Sequence, residues 1–117
     1  MTQVQEEFLK EKEEMIILKN KIQSNPPKAN TDDLVKLAHH YYKMYETSED
    51  ERSRSLCIGQ AGYFGSWAVN KGHNNIEDIK EFIKYLKIDL STPNPDDTSE
   101  KHLKQLEDKL KELESNS

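Results

Sequence analysis

The sequence predicts an all-α fold: a compact domain of about five helices, arranged as antiparallel helical hairpins around a central glycine- and alanine-rich helix. Three observations carry this. Apolar residues recur at steps of three, four and seven in separate stretches. Helix-start and helix-stop signals divide those stretches. Alternating apolar–polar runs are short and β-branched residues scarce, so no strand is expected. A length of 117 residues suits one domain spanning 1–117. Eight of the nine aromatics lie between Tyr41 and Tyr85, which places the core in 30–90 and leaves charged amphipathic helices, 3–23 and 98–114, at the two ends.

The first helix reads from 3 to 23. Val4, Phe8, Met15, Leu18 and Ile22 form one apolar stripe, interrupted by the charge of Glu11. Ser24-Asn25-Pro26-Pro27 stops it, because proline lacks the amide donor and disfavours helix in the residue before it. Asn30-Thr31-Asp32-Asp33 starts a second helix whose inner face is Leu34, Leu37, Ala38, Tyr41 and Tyr45. The acidic run 47–51 reads as a turn and a fresh N-terminus for a third helix reaching Asn70. Gly72 is a helix stop and Asn75 an N-cap. Ile76, Ile79, Phe82, Ile83 and Leu86 give the fourth helix. Pro93 and Pro95 lie in a loop. Asp97-Thr98-Ser99-Glu100 has capping-box spacing, and Leu103, Leu106, Leu110 and Leu113 follow as a coiled-coil-like seam.

The stretch "LCIGQAGYFGSWAVNKG", Leu56 to Gly72, contains all four glycines. It does not read as a phosphate loop. The spacing is Gly-x-x-Gly-x-x-Gly, no Gly-Lys-Ser/Thr ending follows, and no strand precedes it. Projected as a helix, Ile58, Ala61, Gly62, Gly65, Ala68, Val69 and Gly72 fall within about 120° of one another. That small, smooth face would let another backbone approach closely. Leu56, Tyr63 and Trp67 fall opposite, with Cys57 and Phe64 between, so the helix is apolar nearly all round and is expected to be buried. A ligand groove along the small face of 58–72 is the alternative.

Charge and composition narrow the function. A net charge of −5 argues against nucleic-acid binding, which needs a basic face. The longest aliphatic run, Met15 to Leu18, is too short to span a bilayer, and the N-terminal MTQVQEEF lacks the pattern of a signal peptide. A single cysteine makes no intramolecular disulfide. These features read as a cytoplasmic protein bound to neither membrane nor nucleic acid.

No catalytic residue, metal ligand or cofactor survives inspection. His39 and His40 are adjacent, so on a helix they point about 100° apart and do not ligate one metal from one face. His39 reads as a boundary residue and His40, beside Lys36 and Lys43, as solvent-facing. No Glu-x-x-His, no His-Glu-x-x-His and no zinc-type Cys/His spacing occurs. Cys57 and His73, the one nucleophile–base pair on offer, are sixteen residues apart, or about 24 Å along a continuous helix. Cys57 reads as a small core residue. Arg52 and Arg54, the only arginines, sit among Glu49, Asp50 and Glu51 and read as local salt bridges; neither has a histidine four to six residues on, the spacing one helical nuclease type requires. An enzyme is therefore not expected.

Lys80, Lys84 and Lys87 form a basic stripe on the fourth helix, and the tyrosines of the second helix favour a binding surface. His40, Tyr42, Tyr45, Lys80, Lys84 and Lys87 are the candidate partner-binding residues. Leu103, Leu106, Leu110 and Leu113 are the candidate homodimer seam.

Residues 76–113, "IEDIKEFIKYLKIDLSTPNPDDTSEKHLKQLEDKLKEL", resemble the second helix of a tetratricopeptide repeat with its proline loop and closing helix. The triplet Leu37, Ala38 and Tyr41 resembles that repeat's first helix. The resemblance implies stacked helical hairpins that bind a peptide or protein. In size, acidity and helical make-up the chain is also similar to small immunity or antitoxin-type proteins. The functional expectation is a small acidic protein that binds and modulates another protein; a basic partner suits it, since complementary charge steers association. The alternatives are a tetratricopeptide-like adaptor and a helical small-molecule sensor.

Overall fold

The computed structural model describes residues 3–116, without the side chains of Val4, Gln5 and Phe8. The side chains of Val4 and Phe8, assigned above to the first apolar stripe, therefore lie outside what is described. Five α-helices follow one another: α1 (Gln3–Ser24), α2 (Thr31–Thr47), α3 (Glu51–Asn70), α4 (Ile76–Leu90) and α5 (Ser99–Ser115), with a single 3₁₀ turn, Pro26–Lys28, between α1 and α2. No strand occurs among the described residues.

The helix starts follow from local chemistry. The side chain of Asn30 accepts from the amide of Asp32 at 2.7 Å, Asp50 from that of Ser53 at 3.0 Å, and Asn75 from that of Asp78 at 2.9 Å. Each satisfies a first-turn donor that the helix itself leaves free. At the other end of α3 the chain turns through Gly72, whose φ of +108° is open to glycine and strained for other residues. The Gly72 amide donates to the carbonyl of Val69 and the His73 amide to that of Ala68, the paired bonds of a Schellman stop.

The start of α5 departs from expectation. Asp97 does not cap it. The helix begins at Ser99, and its N-cap residue Thr98 makes no capping bond with its side chain. Asp96 instead accepts from the Thr98 amide at 2.8 Å, and Ser99 Oγ donates to Asp89 of α4. A buried carboxylate on the neighbouring helix thus ties the first residue of α5 to α4 through its side chain, in place of a local capping bond.

The central place of α3 is as predicted. It packs against α2, α4 and α5, while α1 packs on α2. Ile58, Ala61, Gly62, Gly65, Ala68 and Val69, the small face, are all buried. A Cβ added to Gly62 would lie 2.8 Å from Leu86 Cδ2, and one added to Gly65 would lie 2.5 Å from Phe82 Cγ. The glycines therefore let α4 seat directly on α3, and that contact fills the groove proposed as a ligand site. The opposite face is not buried as expected: Leu56 is 62% exposed and Tyr63 42% exposed. No helix covers that side fully.

The core extends beyond 30–90. Ile22, Ala29 and Leu106 belong to it, and Met15, Leu18, Leu103, Leu110 and Leu113 pack against its edge. The seam of α5 thus lies on its own chain's core. Among the described residues, no helix is long and apolar enough to cross a membrane.

Candidate protein-binding face

Three of the six candidate partner-binding residues come together. Tyr42 and Tyr45 stand on successive turns of α2, ring centroids 5.7 Å apart. The ammonium of Lys84, from α4, sits 5.0 Å above the Tyr42 ring. The guanidinium of Arg54, from α3, sits 4.7 Å above the Tyr45 ring. The result is a row across three helices, Arg54–Tyr45–Tyr42–Lys84, with a cation at each end of an aromatic pair. Electrostatic attraction between a cation and a ring face holds each pair at this range.

The row is set by what lies under it. Tyr42 stacks at 4.5 Å on Tyr85, which is 1% exposed. Burial pushes the Tyr85 hydroxyl to a higher pKa than a free tyrosine has. Lys84 is held charged above its ordinary range, first by its hydrogen bond to Tyr42 and then by the field of Glu81 and Glu46. At the Tyr45 end the row opens into a shallow depression lined by Arg54, Ser55, Ser91, Thr92 and Pro93. Lys80 and Lys87 are exposed on α4, and their spacing puts them on the same stripe as Lys84.

His40 departs from its reading as a solvent-facing residue. It is 4% exposed. The helical projection gave its side of α2 to solvent, but α1 lies there. Glu11 reaches His40 Nδ1 at 3.1 Å and Lys43 Nζ at 2.9 Å. Those two bonds explain the charge that interrupts the apolar stripe of α1, and they hold the Glu11 carboxyl below the usual glutamate range, Lys43 more than His40. Arg54, read as part of a local salt-bridge group, was the residue of the row that spacing did not single out. Its ring partner stands nine positions earlier in the sequence and on another helix, which no single-helix periodicity connects.

A second polar cluster sits behind the row. Tyr85 Oη lies 3.0 Å from His39 Nδ1, and His39 Nε2 lies 3.5 Å from Asp78 Oδ1. His73 Nε2 meets the other Asp78 oxygen at 2.7 Å. The network closes when Tyr85 donates to His39 and each histidine donates its Nε2–H to Asp78. The Schellman turn delivers His73, and the first turn of α4 delivers Asp78. The cluster ties α2 to the α3–α4 connection.

Cys57 does not join His73. Helix α3 is unbroken, Cys57 is buried at one end, and His73 is engaged by Asp78 past the other. Burial pushes the Cys57 thiol up, with Lys12 opposing weakly. Among the described residues, no group of three or more His, Cys, Asp or Glu is placed to hold a metal ion.

In comparison with known proteins, no family model, no curated protein and no solved structure matches the chain.

Proposed function

We propose that this chain is a protein-binding modulator, an inhibitor of the immunity or antitoxin kind acting on a cognate partner. The observation that supports it is the Arg54–Tyr45–Tyr42–Lys84 row. Tyrosine and arginine are among the side chains that interfaces favour: tyrosine covers area with few rotatable bonds, and arginine offers a planar fork of hydrogen-bond donors. The net charge of −5 favours a basic partner at long range, and the row supplies aromatic contact at short range.

The test is affinity capture with the intact chain, comparing wild type with Tyr45→Ser/Arg54→Ala. Arg54 is exposed and Tyr45 half-buried at the edge of the core, so the fold should persist, as circular dichroism would verify. A stoichiometric basic partner retained by wild type and lost by the variant is expected. Repeated captures without a stoichiometric partner, or equal retention by the variant, would overturn the reading.

The adaptor reading draws on the order of packing. Each of α2 to α5 packs on its neighbour in sequence, as stacked helical hairpins do. The sensor reading has lost its proposed pocket, because Leu86 and Phe82 occupy the small face of α3.

A further inference from the structure

The outward side of α3 carries a feature the row does not use. Tyr63 and Trp67 stand one turn apart, with centroids 6.1 Å apart and planes at 65°. His102, from α5, faces Tyr63 at 6.4 Å with planes at 61°. The three rings, with Asn70, line one open recess. Trp67 and His102 are each steeply inclined to Tyr63, and the three rings wall the recess with an amide among its lining groups.

We propose that this recess is a binding site for an organic ammonium, either a free quaternary amine or the methylated end of a lysine side chain. The ring faces carry negative quadrupole potential, and Trp and Tyr are the strongest cation–π partners among side chains. An alkylated ammonium suits such walls better than a metal ion, since its methyl groups match apolar rings and it loses little hydration. The Asn70 carbonyl can accept from an ammonium that keeps an N–H. His102 completes the wall without adding a charge: burial lowers its pKa from the ordinary histidine value, so the ring is neutral at physiological pH. Asp96 and Lys101 are the charges His102 feels, with opposite signs. Tyr63 is 42% exposed, so the recess is open to a ligand without movement of the fold. The site lies between α3 and α5, on different helices from most of the row, and stands whether or not the proposed partner exists.

Trp67 is the only tryptophan, so its fluorescence reports on the recess directly. The experiment titrates the full chain with choline, with N-acetyl-trimethyllysine methyl ester, and with 3,3-dimethylbutanol, the uncharged isostere of choline. A saturable change with the two cations and none with the isostere is expected. Tyr63→Leu keeps an apolar residue at an exposed position and removes one wall, so it should weaken binding roughly 3- to 30-fold. Trimethyllysine binding clearly tighter than choline assigns the recess to a protein side chain, and the reverse order assigns it to a free amine. Equal response to the uncharged isostere, no saturation with either cation, or unchanged affinity in Tyr63→Leu would overturn the proposal.

Discussion

A Cβ placed on Gly65 would stand 2.5 Å from Cγ of Phe82 and 3.0 Å from its Cβ. The obstacle is the root of a fully buried aromatic, so α4 itself must move to relieve it. Gly65→Ala gains about 1 kcal/mol of helix propensity and loses about 1–3 kcal/mol to overpacking. The expected net result is a loss of up to about 2 kcal/mol, read by urea unfolding. Gly62→Ala should cost less, because its nearest neighbour is the methyl end of Leu86 at 2.8 Å. Gly59, 3.3 Å from Asp89 Oδ1, should tolerate alanine best. Equal stability of all three variants would contradict close seating of α4 on α3.

Acid should loosen α1 first. Glu11 is held below its ordinary range by Lys43 and then by His40. A carboxyl whose folded-state pKa is depressed contributes stability that is present above the unfolded value and lost as pH falls through the folded one. The loss should therefore begin below about pH 4.3, the unperturbed glutamate value. Glu11→Gln should flatten this part of the stability–pH curve while changing little of the profile near neutrality. Amide exchange in α1 is the suitable readout, since Asp50 and Asp96 are depressed too and act elsewhere in the chain. An identical acid limb in α1 for the variant and wild type would sink the assignment.

Cys57 should be slow toward thiol reagents in the native protein. It is 8% exposed, and burial raises its pKa, so little thiolate is available at pH 8. Reaction should become fast once urea unfolds the chain. Full labelling within the mixing time of a native sample would show that Cys57 is not buried in the folded chain.

Local signals were legible and cross-helix ones were not. The caps at Asn30 and Asn75 and the stop at Gly72 are decided by a few adjacent residues and formed as the sequence suggests, and the run 47–51 is a turn and a fresh helix start, with Asp50 as its cap. The small face of α3 was legible because helical period alone defines it. The burial of His40 was not, since it depends on where α1 lies rather than on the period of α2. The same holds for Arg54 over Tyr45, for the α5 start held by Asp89, and for the corner formed by Tyr63 with His102. Leu56 and Tyr63 were expected inside because the composition of α3 is apolar on every side. Five helices of this length leave one of those sides uncovered. For the candidate binding face, Tyr42, Tyr45 and Lys84 could be named from residue type and stripe spacing on separate helices, but their assembly into a row could not.

Asp89 should prove the most sensitive polar residue in the chain. It is 1% exposed, and its Oδ2 accepts from the Asp96 amide at 3.0 Å and from Ser99 Oγ. It thereby closes the loop after α4 and ties the first residue of α5 to α4. Hydrogen bonds to a charged acceptor contribute about 1.5–3 kcal/mol each, and a donor left buried without a partner adds to the loss. Asp89→Ala removes both bonds and strands two donors, so a loss of about 3 kcal/mol or more is expected. Ser99→Ala removes one bond and leaves the Asp96 amide in place, so it should cost about 1–2 kcal/mol. In Asp89→Ala, amide protection should fall most in residues 96–106, where α5 begins. Loss spread evenly over all five helices, or a Ser99→Ala variant as damaged as Asp89→Ala, would show that Asp89 acts by filling space and not by holding the start of α5.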